Sequence, residues 1–249
     1  MKRTLLTGLA ASLIASQATA FDVATMNDAE RQAFRAEIRS YLMENPEVLM
    51  EALGVLEERQ AEAQAQGDVN LIATNAEDLF NDDHSWVSGN PEGDVVMVEF
   101  IDYRCGFCRR AHPEVTELVD TDGNIKLITK EFPILGEASV MASQFAIATL
   151  QKAGPEAYEQ VNQALITMRA DITPESLDRL GQELGLDTSQ IMPHMLSDEV
   201  QTVIADNRAL AQRLQINGTP SFVLQDQMLR GYVPLAQMME LVDQKRAAN

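Results

Sequence analysis

The chain has 249 residues, 45% of them hydrophobic, with 38 acidic against 19 basic side chains and a formal net charge of −19. So acidic a chain repels nucleic-acid phosphates and anionic lipid headgroups, which excludes nucleic acid and anionic membrane surfaces as general partners. The apolar content is enough for a real core, and the length predicts one domain with an extension.

Lys2 and Arg3 precede an apolar run from Leu5 to Ala15, and Ala18-Thr19-Ala20 is a small-x-small cleavage signature. That order predicts a secretory signal peptide over residues 1–20, cleaved after Ala20. The run is too short to span a bilayer. The mature protein, starting at Phe21, is expected to be exported and soluble, in a compartment where disulfides persist.

Asn27, with Glu30 three residues on, reads as a capping box. Phe34, Ile38, Tyr41 and Leu42 then recur at helical spacing and make one apolar stripe. Asn45-Pro46 reads as a cap with proline opening a second helix. Val48, Leu49, Ala52, Leu53 and Leu56 form its apolar face, its tail is polar, and Gly67 is expected to end it. Residues 21–70 are therefore predicted to be a helical extension. Its stripes need a partner, either the chain's own body or a second copy, and the polar tail favours a homo-oligomer.

The body is expected over residues 71–249. A short strand and a Gly/Asn/Pro turn lead to a buried strand at about Val95–Ile101, followed directly by Cys105-Gly106-Phe107-Cys108. A helix interrupted by Pro113 follows, then a strand in "NIKLITKEF". Residues of about 135–214 are helical throughout. "GTPSFVLQDQMLRG" gives two short strands around a turn at Gln225-Asp226-Gln227, and a helix closes the chain. The predicted class is α/β: a thioredoxin fold with an all-helical insertion, preceded by an N-terminal helical extension.

Only two cysteines are present, at Cys105 and Cys108. A structural zinc site needs four ligands, and His84, His112 and His194 are scattered without paired spacing. A purely structural bridge here closes so short a loop that it gains little entropy. A redox couple fits. Residues i and i+3 share a helix face, and Cys105 would sit at the helix N-terminus, where free N–H groups and the dipole favour a thiolate. Cys105 is then attacked or attacks, forming a mixed disulfide, and Cys108 resolves it by forming Cys105–Cys108. Arg104, Arg109 and Arg110 flank the pair as further candidates to stabilise the thiolate or as plain surface residues.

With "VEFIDYRCGFC" and "GTPSFV" in place, the sequence resembles the DsbA-like thiol–disulfide oxidoreductases of bacterial envelopes, from about residue 71 to the end. The resemblance implies that Glu99, six residues before Cys105, is buried under the pair and assists proton transfer, and that Lys130 accompanies it. It implies that Pro220 is a cis proline which, with Thr219, Gly106 and Phe107, meets the substrate chain. Glu99 also lies in an apolar run between Val98 and Phe100, which predicts burial and a raised pKa. The strongest oxidants of the family carry Pro-His where this chain has Gly106-Phe107, so a less oxidising couple is expected. Thr219 is a choice of isomerase-type members. "NPEVLMEAL" is similar to the extension of ScsC-like and Com1-like members, some of which oligomerise through it.

The function expected is a periplasmic oxidase or isomerase of exported cysteine-containing proteins, served by a membrane redox partner and needing no cofactor or metal. The competing class is a non-catalytic copper-handling or chaperone-type binding protein, with Met192, His194 and Met195 as soft ligands; the same methionines also fit a helical core.

Overall fold

The computed structural model describes residues 23–248. The expected signal peptide and its cleavage site lie outside the described residues. The chain divides into two units, one up to Arg59 and one from Gln60.

The first unit holds a short 3-10 turn (Val23–Thr25), helix α1 (Asp28–Glu44) and the beginning of α2 (Glu47–Thr74). The sequence dictates where α1 starts. The Glu30 N–H donates to Asn27 Oδ1 at 3.0 Å, and the Asn27 N–H donates to Glu30 Oε2 at 2.9 Å. Asn45 closes the helix, its Nδ2 donating to the Tyr41 carbonyl at 2.8 Å. No residue of α1 is buried within the chain. Ile38, Tyr41, Leu49 and Leu53 stand 43–54% exposed.

Gly67 does not end α2, contrary to the expectation; the helix runs on to Thr74. A mid-helix glycine costs about 1 kcal/mol against alanine. Tertiary contacts offset it, because Ile72 is buried and Arg230 grips Asp68 with two bonds of 2.6 and 2.8 Å.

The second unit continues with α3 (Ala76–Phe80), β1 (Trp86–Gly89), β2 (Val95–Ile101), α4 (Gly106–Asp122) and β3 (Ile125–Glu131). The helical block follows: α5 (Glu137–Ala153), α6 (Pro155–Thr167), α7 (Pro174–Glu183), α8 (Thr188–His194) and α9 (Asp198–Arg213). Strands β4 (Ser221–Leu224) and β5 (Gln227–Arg230) and helix α10 (Leu235–Ala248) complete it. Pro113 does not interrupt α4, which passes through it and ends at Gly123, a left-handed cap with φ 70°. The short α8 falls within the stretch expected to be helical throughout and carries Pro193 inside it.

The sheet runs β1-β3-β2-β4-β5, with β2 and β3 parallel and every other pair antiparallel. Alternation along the strands sorts the core. Val95, Met97, Ile125 and Leu127 pack with residues of α4 and α10. Val98, Phe100 and Ile128 pack on the other face with Ile72, Leu79, Leu210 and Leu214. Each such side chain contributes roughly 1.5–3 kcal/mol. A one-residue slip would exchange the two faces, so the register is firmly held. A third cluster joins Ile101, Tyr103, Cys105 and Cys108 to the helical block. The cysteines thus lie where the end of β2 meets that block.

Candidate active site

Cys105 is the N-cap of α4, with φ −75° and ψ 119°. Its Sγ lies 3.1 Å from the Thr219 carbonyl, and the Thr219-Pro220 bond is cis. Both cysteines are free thiols and both are buried. The Cys105 thiol is pulled down to about 5. The largest cause is the hydrogen bond from Cys108. The Thr219 hydroxyl and the backbone N–H groups of Cys108 and Phe107 add to it, while burial opposes it. Cys108 is pushed far up by its bond to Cys105 and by burial, with the Glu99 charge adding to both. One sulfur therefore favours the thiolate while its neighbour keeps its proton. Gly106 opens the helix without contacts that a Cβ would meet, and Phe107 stands 61% exposed beside the pair.

Glu99 sits on the α4 side of β2, only 5% exposed, and burial raises its carboxyl to about 8. It shares with Cys108 a cavity of about 130 Å³ between β1, α4 and α6.

Lys130 does not accompany Glu99. In the parallel register Glu99 lies opposite Thr129, and Lys130 lies opposite Phe100. Neighbouring strand residues point to opposite faces. Lys130 is accordingly buried on the far side, where its Nζ bonds to Asp82 Oδ2 and donates to the Asp78 carbonyl at 2.7 Å. Two of the three flanking arginines are also engaged elsewhere. Arg109 donates to the Ile166 and Met168 carbonyls at 3.0 and 3.3 Å, and Arg110 lies 4.3 Å over the Tyr232 ring.

Sequence reasoning missed two buried carboxylates that hold the site in place. Asp102 fixes the turn before Cys105. Its Oδ1 accepts from the Arg104 N–H at 2.8 Å and the Ser139 hydroxyl at 2.7 Å, and its Oδ2 from the Ile134 and Leu135 N–H groups at 2.8 and 3.0 Å. Glu131 ends β3 inside the core, where burial pushes its carboxyl up to about 7. It accepts from Tyr103 at 2.6 Å, Tyr158 at 2.5 Å and Ser143 at 2.6 Å. That joins β3, the active-site turn, α5 and α6. An aspartate placed to bond the N–H two residues on was a visible signal for Asp102. The Glu131 partners had none.

Among the described residues no three His, Cys, Asp or Glu side chains are grouped to hold a metal. Met195 is buried in the core cluster, Met192 packs against it, and His194 Nε2 bonds Gln151 Oε1 at 2.7 Å. These three residues are used in packing and in a surface contact.

The family described as Thioredoxin matches residues 81–244, and the one described as Copper resistance protein ScsC N-terminal domain matches residues 30–63. Among solved structures, a thioredoxin-like oxidoreductase from Silicibacter pomeroyi is 45% identical, with a TM-score of 0.65 over 70% of this chain and 98% of that one. Proteus mirabilis ScsC in a transitional conformation is 28% identical, with a TM-score of 0.65 over 91% of this chain and 99% of that one. The thiol-disulfide exchange protein alpha-DsbA2 from Wolbachia pipientis is 26% identical, with a TM-score of 0.69 over 74% and 98%. The chain spans about a fifth of the length of the first curated relatives it matches. One is the Na(+)/H(+) antiporter NhaA 3 of Salinispora tropica, 26% identical over 140 residues, 56% of this chain and 21% of that protein.

Proposed function

Because the chain belongs to the thioredoxin family, as a DsbA-like member of its ScsC-like group, we propose that it is an exported thiol–disulfide oxidoreductase of the periplasm, acting mainly as an isomerase. The observation that carries the exchange chemistry is the split between the two thiols, Cys105 held low and Cys108 held high above a buried Glu99. The Cys105 thiolate attacks one sulfur of a substrate disulfide, and the other sulfur leaves as a thiolate. Thr219 and Pro220, with Gly106 and Phe107, flank the extended substrate chain at that sulfur.

Two routes then release the substrate. Another substrate thiolate attacks the mixed disulfide, which rearranges the substrate's bonds with no net redox change. Alternatively Glu99, once ionised, takes the Cys108 proton, and the Cys108 sulfur attacks Cys105. The Cys105–Cys108 disulfide forms, the substrate thiolate leaves, and the substrate is reduced by two electrons. A membrane redox partner resets the pair. Gly106-Phe107 supplies no side-chain donor to the thiolate, which favours a couple less oxidising than the strongest oxidants.

The isomerase direction is supported by the first unit, whose exposed apolar stripe suits self-association. The test is the double variant Ile38→Glu/Leu53→Glu. Its mass in solution should fall to that of a monomer, and reactivation of scrambled ribonuclease should be lost while reduction of insulin persists. A wild type that is already monomeric would sink the oligomer reading.

A further inference from the structure

This inference deepens the exchange chemistry proposed above and rests on it. Burial keeps the Glu99 carboxyl protonated at neutral pH, so it must shed its proton before it can take the one from Cys108 in the resolving step, and shed that one before the next turnover. Its carboxyl is enclosed in the core, and Lys130, the nearest expected partner in the sequence, lies on the far face of the sheet. The proton therefore needs another way out.

The cavity beneath the cysteines provides one. Glu99 and Cys108 form its inner wall, and Thr129 and Asn162 add polar groups along it. Its outer wall includes His112 of α4 and Gln163 of α6, whose side chains hydrogen-bond to each other across the gap between the helices. A water needs roughly 10–15 Å³ of this kind of volume and two to four polar partners. About 130 Å³ with those groups has room for a short chain of waters. His112 also lines a second groove on the outer side of α4 and α6, along with Thr116, Asp120 and Gln163. It is half-buried and belongs to both spaces.

We propose that His112 is the proton-relay residue of this site, passing the proton of Glu99 from the cavity to bulk solvent and back. Atoms and electrons balance. Cys108 gives its proton to the Glu99 carboxylate, and its electron pair attacks the Cys105 sulfur. The bond from Cys105 to the substrate sulfur breaks, and that sulfur leaves with the pair. The proton then passes from Glu99 through the cavity to a neutral His112, and from the imidazolium to solvent. Histidine is the side chain suited to taking and giving a proton near neutrality. With Nε2 turned to the Gln163 carbonyl oxygen, Nδ1 is left with the lone pair. Asp120 of α4 and Glu159 of α6 line the cavity, and Glu117 lines the outer groove. Arg109, also on that groove, is occupied by the Ile166 and Met168 carbonyls at the end of α6. His112 does not touch the reacting sulfurs; it acts through Glu99.

The test uses the full chain and single-turnover reduction of a model disulfide, followed across pH by the fluorescence of Trp86, which lines the same cavity. His112→Ala should slow the resolving step by at least about tenfold, and imidazole in the buffer should restore it in proportion to its concentration. His112→Gln, which keeps a polar group against Gln163, should be as slow as the alanine variant. In a Glu99→Gln background the His112 change should have no further effect. The glutathione equilibrium should stay put, since a relay alters rate and not position. Rates within twofold of wild type across pH, a loss that imidazole does not rescue, or an equal loss in the Glu99→Gln background would overturn the relay. A wild type that exchanges no disulfides would instead overturn the proposed function, so the two failures are distinct.

Discussion

Replacing Glu99 by glutamine removes a titrating group from the core and keeps its shape. In the folded chain burial holds this carboxyl at about 8, against an ordinary 4.5. Between those values the folded state keeps a proton that the unfolded state releases. Stability is therefore fully present below the unfolded value and is lost as pH rises towards the folded one. Each pH unit in that window costs about 1.4 kcal/mol. The wild type should lose about 3 kcal/mol to this group by pH 7 and at most about 5 kcal/mol above pH 8. Glu99→Gln has no such loss. The assay is denaturant unfolding of both reduced proteins at roughly pH 5 and pH 8. The stability difference should swing in favour of Glu99→Gln by about 3 kcal/mol or more between the two. The amide's own burial cost is the same at both and cancels. Parallel stability curves would refute the reasoning, because they would mean that Glu99 ionises as freely in the folded chain as in the unfolded one.

Ultraviolet thiolate absorbance should titrate with a midpoint near 5 for Cys105, and Cys108→Ala should move that midpoint up, since the Cys108 hydrogen bond is the largest cause of the depression. Lys130→Met should cost about 3 kcal/mol by leaving Asp82 without its buried cation, yet leave the glutathione equilibrium unchanged; a shifted equilibrium would return Lys130 to the site. Glu131→Ala should cost about 3 kcal/mol or more in denaturant unfolding, because it strands the hydroxyls of Tyr103, Tyr158 and Ser143. The near-ultraviolet dichroism of Trp86, whose ring centroid lies 5.0 Å from that of Tyr158, should weaken with it.

The elements that carry the site were legible because their signals are local. An apolar run gives β2, the cysteine spacing gives the first turn of α4, and the Thr-Pro and its turn give the β4–β5 hairpin. Burial of Glu99 was readable from Val98 and Phe100 on either side. Lys130 shows where such reading stops. Only the parallel register decides whether Lys130 or Thr129 lies opposite Glu99, and one sequence does not carry it. The Glu131 cluster was invisible for a related reason, because its hydroxyls come from the active-site turn, α5 and α6. His112 reads as an ordinary helix-surface histidine until α6 is seen beside it. The continuation of α2 past Gly67 belongs to the same class, since it depends on Arg230, far along the chain.

The central claim is that Cys105 and Cys108 are one redox couple. Equilibrating the full chain with graded ratios of reduced to oxidised glutathione, then trapping free thiols and weighing the protein, tests it most directly. The account predicts one two-electron transition in which both thiols disappear together, at a potential more negative than the roughly −120 mV of the strongest oxidants. Thiols that stay reduced across the series, or a stable single adduct on Cys105 that Cys108 never resolves, would contradict it.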